Sequence, residues 1–210
     1  MERLTIQVGS FEVNCSILEI DGKVLVIDPG QDADRIIAAL EQRNLNPTAI
    51  LLTHGHFDHV NGIPGLLKRF PDLPVYVSPE DAKVMRHPLN TLPPEYGPVA
   101  IDQSVRWDVE RLEQWGVRTI PTPGHTPGGV CYYIPSSHQE PGAKRQALLF
   151  SGDTLFAGSV GRTDLPGGDM ATLMRSLDAL RELPEDTVVI PGHGMFTTIG
   201  RELESNPFLQ

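Results

Sequence analysis

One short stretch limits what this chain can fold into more than any other. Residues 53–59 read Thr-His-Gly-His-Phe-Asp-His. They follow an apolar run at residues 49–52 that is typical of a buried strand, and they precede a helix-like pattern at residues 60–70. Four side chains that can bind metal therefore lie in a turn between a strand and a helix.

These four side chains suit a metal site better than an ordinary core. A single histidine is most often a hydrogen-bonded core or surface residue, but burying four such groups together costs several kcal/mol unless a metal or other partners compensate. Because side chains in a turn need not alternate across a pleat, His54 and His56 can converge on one ion while Asp58 and His59 reach a second. Zinc and iron(II) accept imidazole and carboxylate ligands together. We therefore predict a metal site in this turn.

The composition is that of one globular domain. The chain has 210 residues, 40% of them hydrophobic, so we expect residues 1–210 to form a single domain with a sizeable core. It has no apolar run of about 18 residues, and its first residues lack the apolar core of a signal peptide. We expect a cytoplasmic protein. Cys15 and Cys131 lie in separate strand-like runs and are expected to be buried thiols.

The charge of the chain excludes one class of partner. The formal net charge is −10, and phosphate binding needs clustered Lys and Arg. We therefore expect no nucleic-acid partner, and the absence of a long apolar run predicts no membrane partner. The oligomeric state is left open.

The first half of the chain alternates strands and helices. Periodicity predicts strands at residues 3–8, 13–20, 23–28, 49–52 and 75–77 and helices at residues 33–40 and 60–70. Asp58 is expected to cap the second of these helices. Residues 86–103 are rich in proline and low in periodicity, which predicts a functional loop over a site.

The second half is also rich in strands, and polar motifs follow several of them. Strands are predicted at residues 104–109, 117–121, 129–134, 146–150 and 187–190, with a helix that carries the apolar residues between 170 and 180. Residues 136–146 are expected to be an exposed hairpin loop. His125, Asp153 and His193 each follow a strand and each lie beside a glycine, which lets the backbone turn sharply.

Together with the turn at residues 53–59, these motifs supply five imidazoles and two carboxylates. That inventory suits two metal ions that share one carboxylate. The remaining histidines, His87 and His138, are expected at the surface.

The motifs His-x-His-x-Asp-His, Gly-His-Thr-Pro-Gly, Gly-Asp and Pro-Gly-His-Gly, in this order, resemble those of the metallo-β-lactamase superfamily. The resemblance covers nearly the whole chain. It implies an α/β fold of four layers, an αββα sandwich in which two packed sheets lie between outer helices, with the site along one edge of the sandwich.

The resemblance also implies two divalent ions, Zn2+ foremost with Fe or Mn as alternatives. The implied ligands are His54, His56 and His125 for the first ion and Asp58, His59 and His193 for the second, with Asp153 bridging them. Thr53, Thr126 and Asp28 are expected to hold the ring N–H groups of the ligands.

Within the superfamily, residues 158–169 and 206–210 resemble the short bacterial type of the glyoxalase II branch, the hydroxyacylglutathione hydrolases. This resemblance implies hydrolysis of a small thioester such as S-D-lactoylglutathione. Longer members carry a C-terminal helical domain that contacts glutathione, and we expect no such domain in this chain. Secreted β-lactamases lack the bridging aspartate and are a weaker match.

The persulfide dioxygenases resemble the same motifs, including the Gly-Arg-x-Asp of residues 161–164, and are the alternative. Their single iron is held by the equivalents of His54, His125 and Asp153. Arg162 and Asp164 are expected to form a structural ion pair beside the site.

The expected reaction begins with a water held between the two ions, whose pKa falls enough to give hydroxide near neutral pH. This hydroxide attacks the thioester carbonyl. Asp58 is expected to be the catalytic residue, which orients the nucleophile and shuttles its proton. No serine or cysteine nucleophile competes, since Ser151 lacks the glycine-flanked turn of a serine hydrolase.

Overall fold

The structure, a computed structural model, describes residues 1–101, 105–136 and 146–210. Within these ranges the chain forms two compact units, Met1–Asp108 and Val109–Gln210. The single domain expected from the sequence stays a prediction.

In the described part of the first unit, one mixed sheet contains six strands. They are β1 (Glu2–Val8), β2 (Val13–Ile20), β3 (Lys23–Ile27), β4 (Ala49–Leu51), β5 (Val75–Tyr76) and β6 (Val105–Arg106). Their spatial order follows the chain: β1 to β3 pair antiparallel, and β3 to β6 pair parallel. Because parallel strands end at the same edge of a sheet, the segments that follow β3, β4 and β5 emerge side by side.

The helices of the first unit cover this sheet. They are α1 (Ala33–Gln42), α2 (Phe57–Val60), α3 (Ile63–Arg69) and α4 (Pro79–Met85). Ile36 and Leu40 of α1 and Ile63 and Leu66 of α3 join one hydrophobic cluster with side chains of β2 to β5. This apolar face fixes both helices on the strands that carry the histidine turn.

The helix predicted over residues 60–70 is interrupted. The backbone of Gly62 lies against Pro29: its N–H donates to the Pro29 carbonyl over 2.8 Å, and a Cβ at this glycine would lie 2.5 Å from the same oxygen. This close contact separates α2 from α3. The predicted cap is also wrong, because His56 is the N-cap residue of α2 and Asp58 lies inside its first turn.

The second unit is built on another sheet. Its strands are β7 (Arg118–Pro121), β8 (Val130–Ile134), β9 (Leu148–Gly152), β10 (Leu155–Phe156), β11 (Ser159–Val160), β12 (Val188–Pro191) and β13 (Thr197–Thr198). The order in the main sheet is β13-β12-β9-β8-β7, and β10 and β11 form a separate hairpin. Since β8 is antiparallel to β7 and β9, and β12 is parallel to β9, the strands β7, β9 and β12 share one direction.

The described residues of this unit form three helices: α5 (Val109–Gln114), α6 (Met170–Arg181) and α7 (Ile199–Ser205). As predicted, α6 has an apolar face, and Leu173, Leu177 and Leu180 are buried in the hydrophobic cluster of this sheet. Beyond α7, the buried Asn206 donates to the Ser159 carbonyl and to Glu202, which ties α7 to the β10–β11 hairpin.

Both cysteines are buried thiols, as predicted, and they belong to different units. Burial, with the charge of Asp28 as a smaller cause, raises the pKa of Cys15. The Cys131 thiol donates to the Ser151 carbonyl. Neither thiol is placed to act as a nucleophile near neutral pH.

Several short elements were not predicted, among them α4, α5, α7 and β13. The strand predicted at 104–109 is limited to β6 in the described residues. The loop predicted at 86–103 contains one isolated bridge between Leu92 and Tyr96 within its described part. The predicted hairpin loop at 136–146 lies almost entirely outside the described residues.

In the described ranges, no helix combines the length and the apolar character needed to cross a bilayer.

Candidate metal centre

The histidine turn starts where β4 ends and runs into α2, between a strand and a helix as predicted. Its side chains converge. The ligand atoms of His54 lie within 4.8 Å of those of His56 and of His59, and Asp58 and His59 are equally close. The ring centroids of His54 and His59 are 4.0 Å apart. The three imidazoles are at most 9% exposed, so this turn packs donor atoms where water is largely excluded.

Asp28, which follows β3, fixes the protonation of the His54 ring. Its carboxylate accepts the Thr53 N–H over 2.8 Å and the Thr53 hydroxyl over 2.6 Å. Because the hydroxyl proton is used in this way, Thr53 Oγ1 faces His54 Nδ1, 3.1 Å away, as an acceptor. Nδ1 therefore carries the proton, and the lone pair of His54 is on Nε2.

The same carboxylate acts on His59. Asp28 Oδ2 lies 3.1 Å from His59 Nδ1, and His59 Nε2 lies 3.9 Å from Asp58 Oδ2. The Asp28 carboxylate is thus an ionic neighbour of His59 Nδ1, and Nε2 is directed toward Asp58. The support expected from Asp28 and Thr53 is therefore present as hydrogen bonds at His54 and as an ionic contact at His59.

Two side chains that sequence reasoning missed hold the backbone of the turn. Asp81 accepts the Gly55 N–H over 2.8 Å. Asn90 donates to the Gly55 carbonyl over 2.9 Å and accepts the Phe57 N–H over 3.0 Å. Both side chains are buried. The signal available in the sequence was weak: Asp81 reads as an ordinary first-turn residue of a helix, and Asn90 lies in the loop predicted to be functional.

The second unit brings together the other three predicted ligands. His125 follows β7, Asp153 follows β9 and His193 follows β12, and these strands end at one edge because they share one direction. Asp153 Oδ2 lies 3.6 Å from Nε2 of His125 and 3.6 Å from Nε2 of His193. Two ligands of one tetrahedral zinc ion are separated by about 3.3 Å, given bonds of about 2.0 Å. The spacing therefore fits ligands that share an ion.

A backbone carbonyl orients His125. Its Nδ1 lies 2.6 Å from the Arg162 carbonyl oxygen, which can only accept, so Nδ1 carries the proton and Nε2 faces Asp153. Gly161 makes this approach possible, since a Cβ there would overlap the Asp153 carbonyl oxygen and lie 3.1 Å from His125 Nδ1. The contact of the Arg162 carbonyl with His125 could not be predicted from the sequence, because every residue has a backbone carbonyl.

The predicted ion pair beside this segment is present. Arg162 donates from Nε and a terminal nitrogen to the two carboxylate oxygens of Asp164, over 2.6 and 2.8 Å. These hydrogen bonds lower the pKa of Asp164 to about 2. Both side chains are more than 60% exposed, so this pair holds the surface of the segment while the Arg162 carbonyl points to His125.

The donor set fits divalent zinc, iron or manganese. In each unit imidazole nitrogens and carboxylate oxygens converge; two of the five imidazoles have Nδ1 hydrogen-bonded to an oxygen, and the Asp28 carboxylate lies 3.1 Å from Nδ1 of a third, His59. This arrangement is typical of metal-ligating histidines. All seven predicted ligands belong to these two sets, and their role as ligands stays a prediction.

Comparisons with known proteins agree over almost the full length. The family model described as the metallo-beta-lactamase superfamily matches residues 8–193. The hydroxyacylglutathione hydrolase GloC of Haemophilus influenzae is 38% identical over 213 residues, which cover 97% of this chain and 96% of that protein.

Two solved structures are also similar. TTHA1623 in a di-iron-bound form is 38% identical with a TM-score of 0.86, and the match covers 98% of this chain and 100% of that one. The BLEG-1 B3 metallo-beta-lactamase is 34% identical with a TM-score of 0.79, and the match covers 99% of each chain.

Proposed function

The chain belongs to the metallo-β-lactamase superfamily and has its fold, as the sequence predicts, and on this premise we propose that it is a metal-dependent thioester hydrolase. S-D-lactoylglutathione is the proposed substrate, with D-lactate and glutathione as products. The observation that carries the metal-dependent part is the orientation of His54, His59 and His125, whose Nδ1 atoms face oxygen acceptors. The similarity to a hydroxyacylglutathione hydrolase supports the choice of substrate.

In this proposal the seven candidate ligands together hold two divalent ions. The division between the ions follows the resemblance to the superfamily, and the spacing inside each unit supports only that neighbouring side chains can share an ion. The proposed ligands are His54, His56 and His125 for the first ion, Asp58, His59 and His193 for the second, and Asp153 for both. A di-iron-bound relative supports the number of ions, and the donor set suits zinc, iron and manganese alike.

When bound, the ions supply Lewis acidity and acidify a water molecule. The residues of the chain position the water and the ligands. Asp58, whose carboxylate is 12% exposed and directed toward His59, orients the attacking water and accepts its proton. The Asp28 carboxylate, 3.1 Å from His59 Nδ1, favours a proton on that nitrogen, which leaves the lone pair of Nε2 for a metal ion.

A separate general acid is not required for a thioester. The carbon–oxygen bond forms as the carbon–sulfur bond breaks, and the leaving thiol has a pKa of about 8.5. It can depart as a thiolate near neutral pH.

The test is a substrate panel on metal-replete protein: S-D-lactoylglutathione, a chromogenic cephalosporin and glutathione persulfide, the last followed by oxygen uptake. We expect turnover of the thioester alone. We expect Asp153→Ala to lower it by more than about 100-fold, beyond the loss typical of a residue that only supports a ligand. Asp178→Ala is the matched control, because Asp178 is 71% exposed on α6, and it should stay within about twofold.

Two outcomes would overturn the proposal. Cephalosporin cleavage without thioester cleavage would make the chain a β-lactamase, as the name of the similar BLEG-1 B3 metallo-beta-lactamase states for that protein. Oxygen uptake with the persulfide, and no thioester turnover, would make it a dioxygenase.

A further inference from the structure

Asp81 and Asn90 hold the peptide group after His54 and the peptide groups on both sides of His56, two of the proposed ligands. Asp81 accepts the N–H of the peptide that joins His54 to Gly55. Asn90 donates to the carbonyl of the next peptide and accepts the N–H of the one after it, at Phe57. Three consecutive peptide groups are thus fixed by two side chains.

Asn90 has the more direct effect on His56. The peptide before this histidine is held at the Gly55 carbonyl, and the peptide after it is held at the Phe57 N–H. Fixing both flanking peptides fixes φ and ψ of His56, which are −65° and 149°. The direction of the Cα–Cβ bond follows from these two angles, which leaves the ring only the few positions that the staggered rotamers of His56 allow.

The two side chains are themselves anchored on α4 and the segment after it. The Asp81 N–H donates to the capping hydroxyl of Ser78, and Asn90 also donates to the Met85 carbonyl over 3.3 Å. Gly55 packs so closely on α4 that a Cβ there would overlap the Asp81 carbonyl oxygen. Asp81 and Asn90 are 0% and 7% exposed, so water does not compete for these bonds.

We propose that Asp81 and Asn90 are positioning residues of the metal centre, which set the orientation of His56 toward the first ion. The inference rests on the proposed role of His56 as a metal ligand. Ordering the turn before the metal arrives lowers the entropic cost of binding. Without Asn90, the two peptides beside His56 are free to rotate, and the metal must order them.

The test compares two buried asparagines. Asn206 in the second unit is 0% exposed and also makes three hydrogen bonds, to Ser159, Glu202 and Phe208. We expect Asn90→Ala and Asn206→Ala to lower Tm by similar amounts. Zinc affinity, measured against a chromophoric chelator without substrate, should fall about 10- to 100-fold in Asn90→Ala and stay within about twofold in Asn206→Ala. The Co(II) absorption spectrum should change only in Asn90→Ala.

A double-mutant cycle separates positioning from general stability. If Asn90 acts through His56, Asn90→Ala should not weaken zinc binding further in a His56→Ala background. Asn90→Asp, which keeps the shape and the acceptor for the Phe57 N–H but replaces the donor to the Gly55 and Met85 carbonyls by an oxygen, serves if the alanine variant does not fold, and should show a loss of the same kind.

Equal zinc affinities and equal Co(II) spectra for Asn90→Ala and wild type would overturn the inference, as would additive losses in the cycle. Failure of the proposed function is distinguishable, because it would appear as absent thioester turnover in wild-type protein whose zinc binding still depends on Asn90.

Discussion

The two units present ligands in opposite ways. In the first unit four candidate ligands come from one turn of six residues, so their proximity follows from local chain geometry. In the second unit three ligands come from three separate strand ends, and only the order and direction of β7, β9 and β12 bring them together. The candidate ligands of the first unit are brought together by one short segment, and those of the second unit are brought together by the sheet.

The supporting contacts differ accordingly. The turn in the first unit is held by buried side chains that arrive from the ends of neighbouring parallel strands and the segments beyond them: Asp28, Asp81 and Asn90. The second set is held by backbone, with the Arg162 carbonyl on His125 and the Gly161 backbone against Asp153. Zinc affinity should therefore fall only in part when one supporting side chain of the first unit is replaced. In the second unit it should fall sharply when a substitution displaces the backbone.

The largest effect is expected from Gly161→Ala. The added Cβ would overlap the Asp153 carbonyl oxygen and crowd His125, so it would displace two ligands at once and cost about 3 kcal/mol of unfolding free energy. Gly97→Ala is the control, because nothing lies within 4 Å of a Cβ there. Urea unfolding measures the loss of stability, and zinc titration measures the loss of metal binding. Equal stabilities and equal zinc affinities of the two variants would show that the second unit does not depend on its backbone contacts in this way.

A smaller effect is expected from Asp28→Ala. Its loss removes the acceptor for two groups of Thr53 and the carboxylate beside His59 Nδ1, which should cost about 1–3 kcal/mol of stability and about 10- to 100-fold in zinc affinity. Asp72→Ala, at an exposed turn of the same unit, should change neither. Zinc affinity as poor as that of a variant lacking a ligand would show that the turn has no independent support from Asp81 and Asn90.

The smallest effect concerns the exposed pair in the second unit. The pKa of Asp164 is lowered from 3.8 to about 2 in the folded protein, chiefly by hydrogen bonds from Arg162. Its contribution to stability is therefore present above pH 4 and lost as the pH falls toward 2. The difference in Tm between wild type and Asp164→Asn, followed across this range, should be small at pH 6 and vanish near pH 2. A Tm difference that grows as the pH is lowered would contradict a lowered pKa of Asp164 in the folded protein.

The same contrast explains what could be predicted from sequence. The candidate ligands of the turn could be predicted because they are adjacent, and His125, Asp153 and His193 because each follows a strand and a glycine. The α/β fold was implied by the resemblance of these motifs to the superfamily, and it is the fold of that family. Asp81 and Asn90 were missed because they lie 26 and 35 positions from Gly55 in the chain, and no local pattern marks such a contact.

The interruption between α2 and α3 escaped prediction for a related reason. Apolar periodicity continues through residues 60–70, but the backbone contact between Gly62 and Pro29 depends on tertiary packing. Propensity and periodicity report on the local chain, and packing overrides them where two segments approach closely.

The most direct test is the number of divalent ions that the purified, metal-replete chain retains after gel filtration, measured in wild type and in Asp153→Ala. If both ligand sets serve one dinuclear centre with Asp153 shared, wild type should retain two ions per chain, and Asp153→Ala should retain fewer than two and lose thioester turnover. Two ions in the variant, with turnover unchanged, would contradict the account.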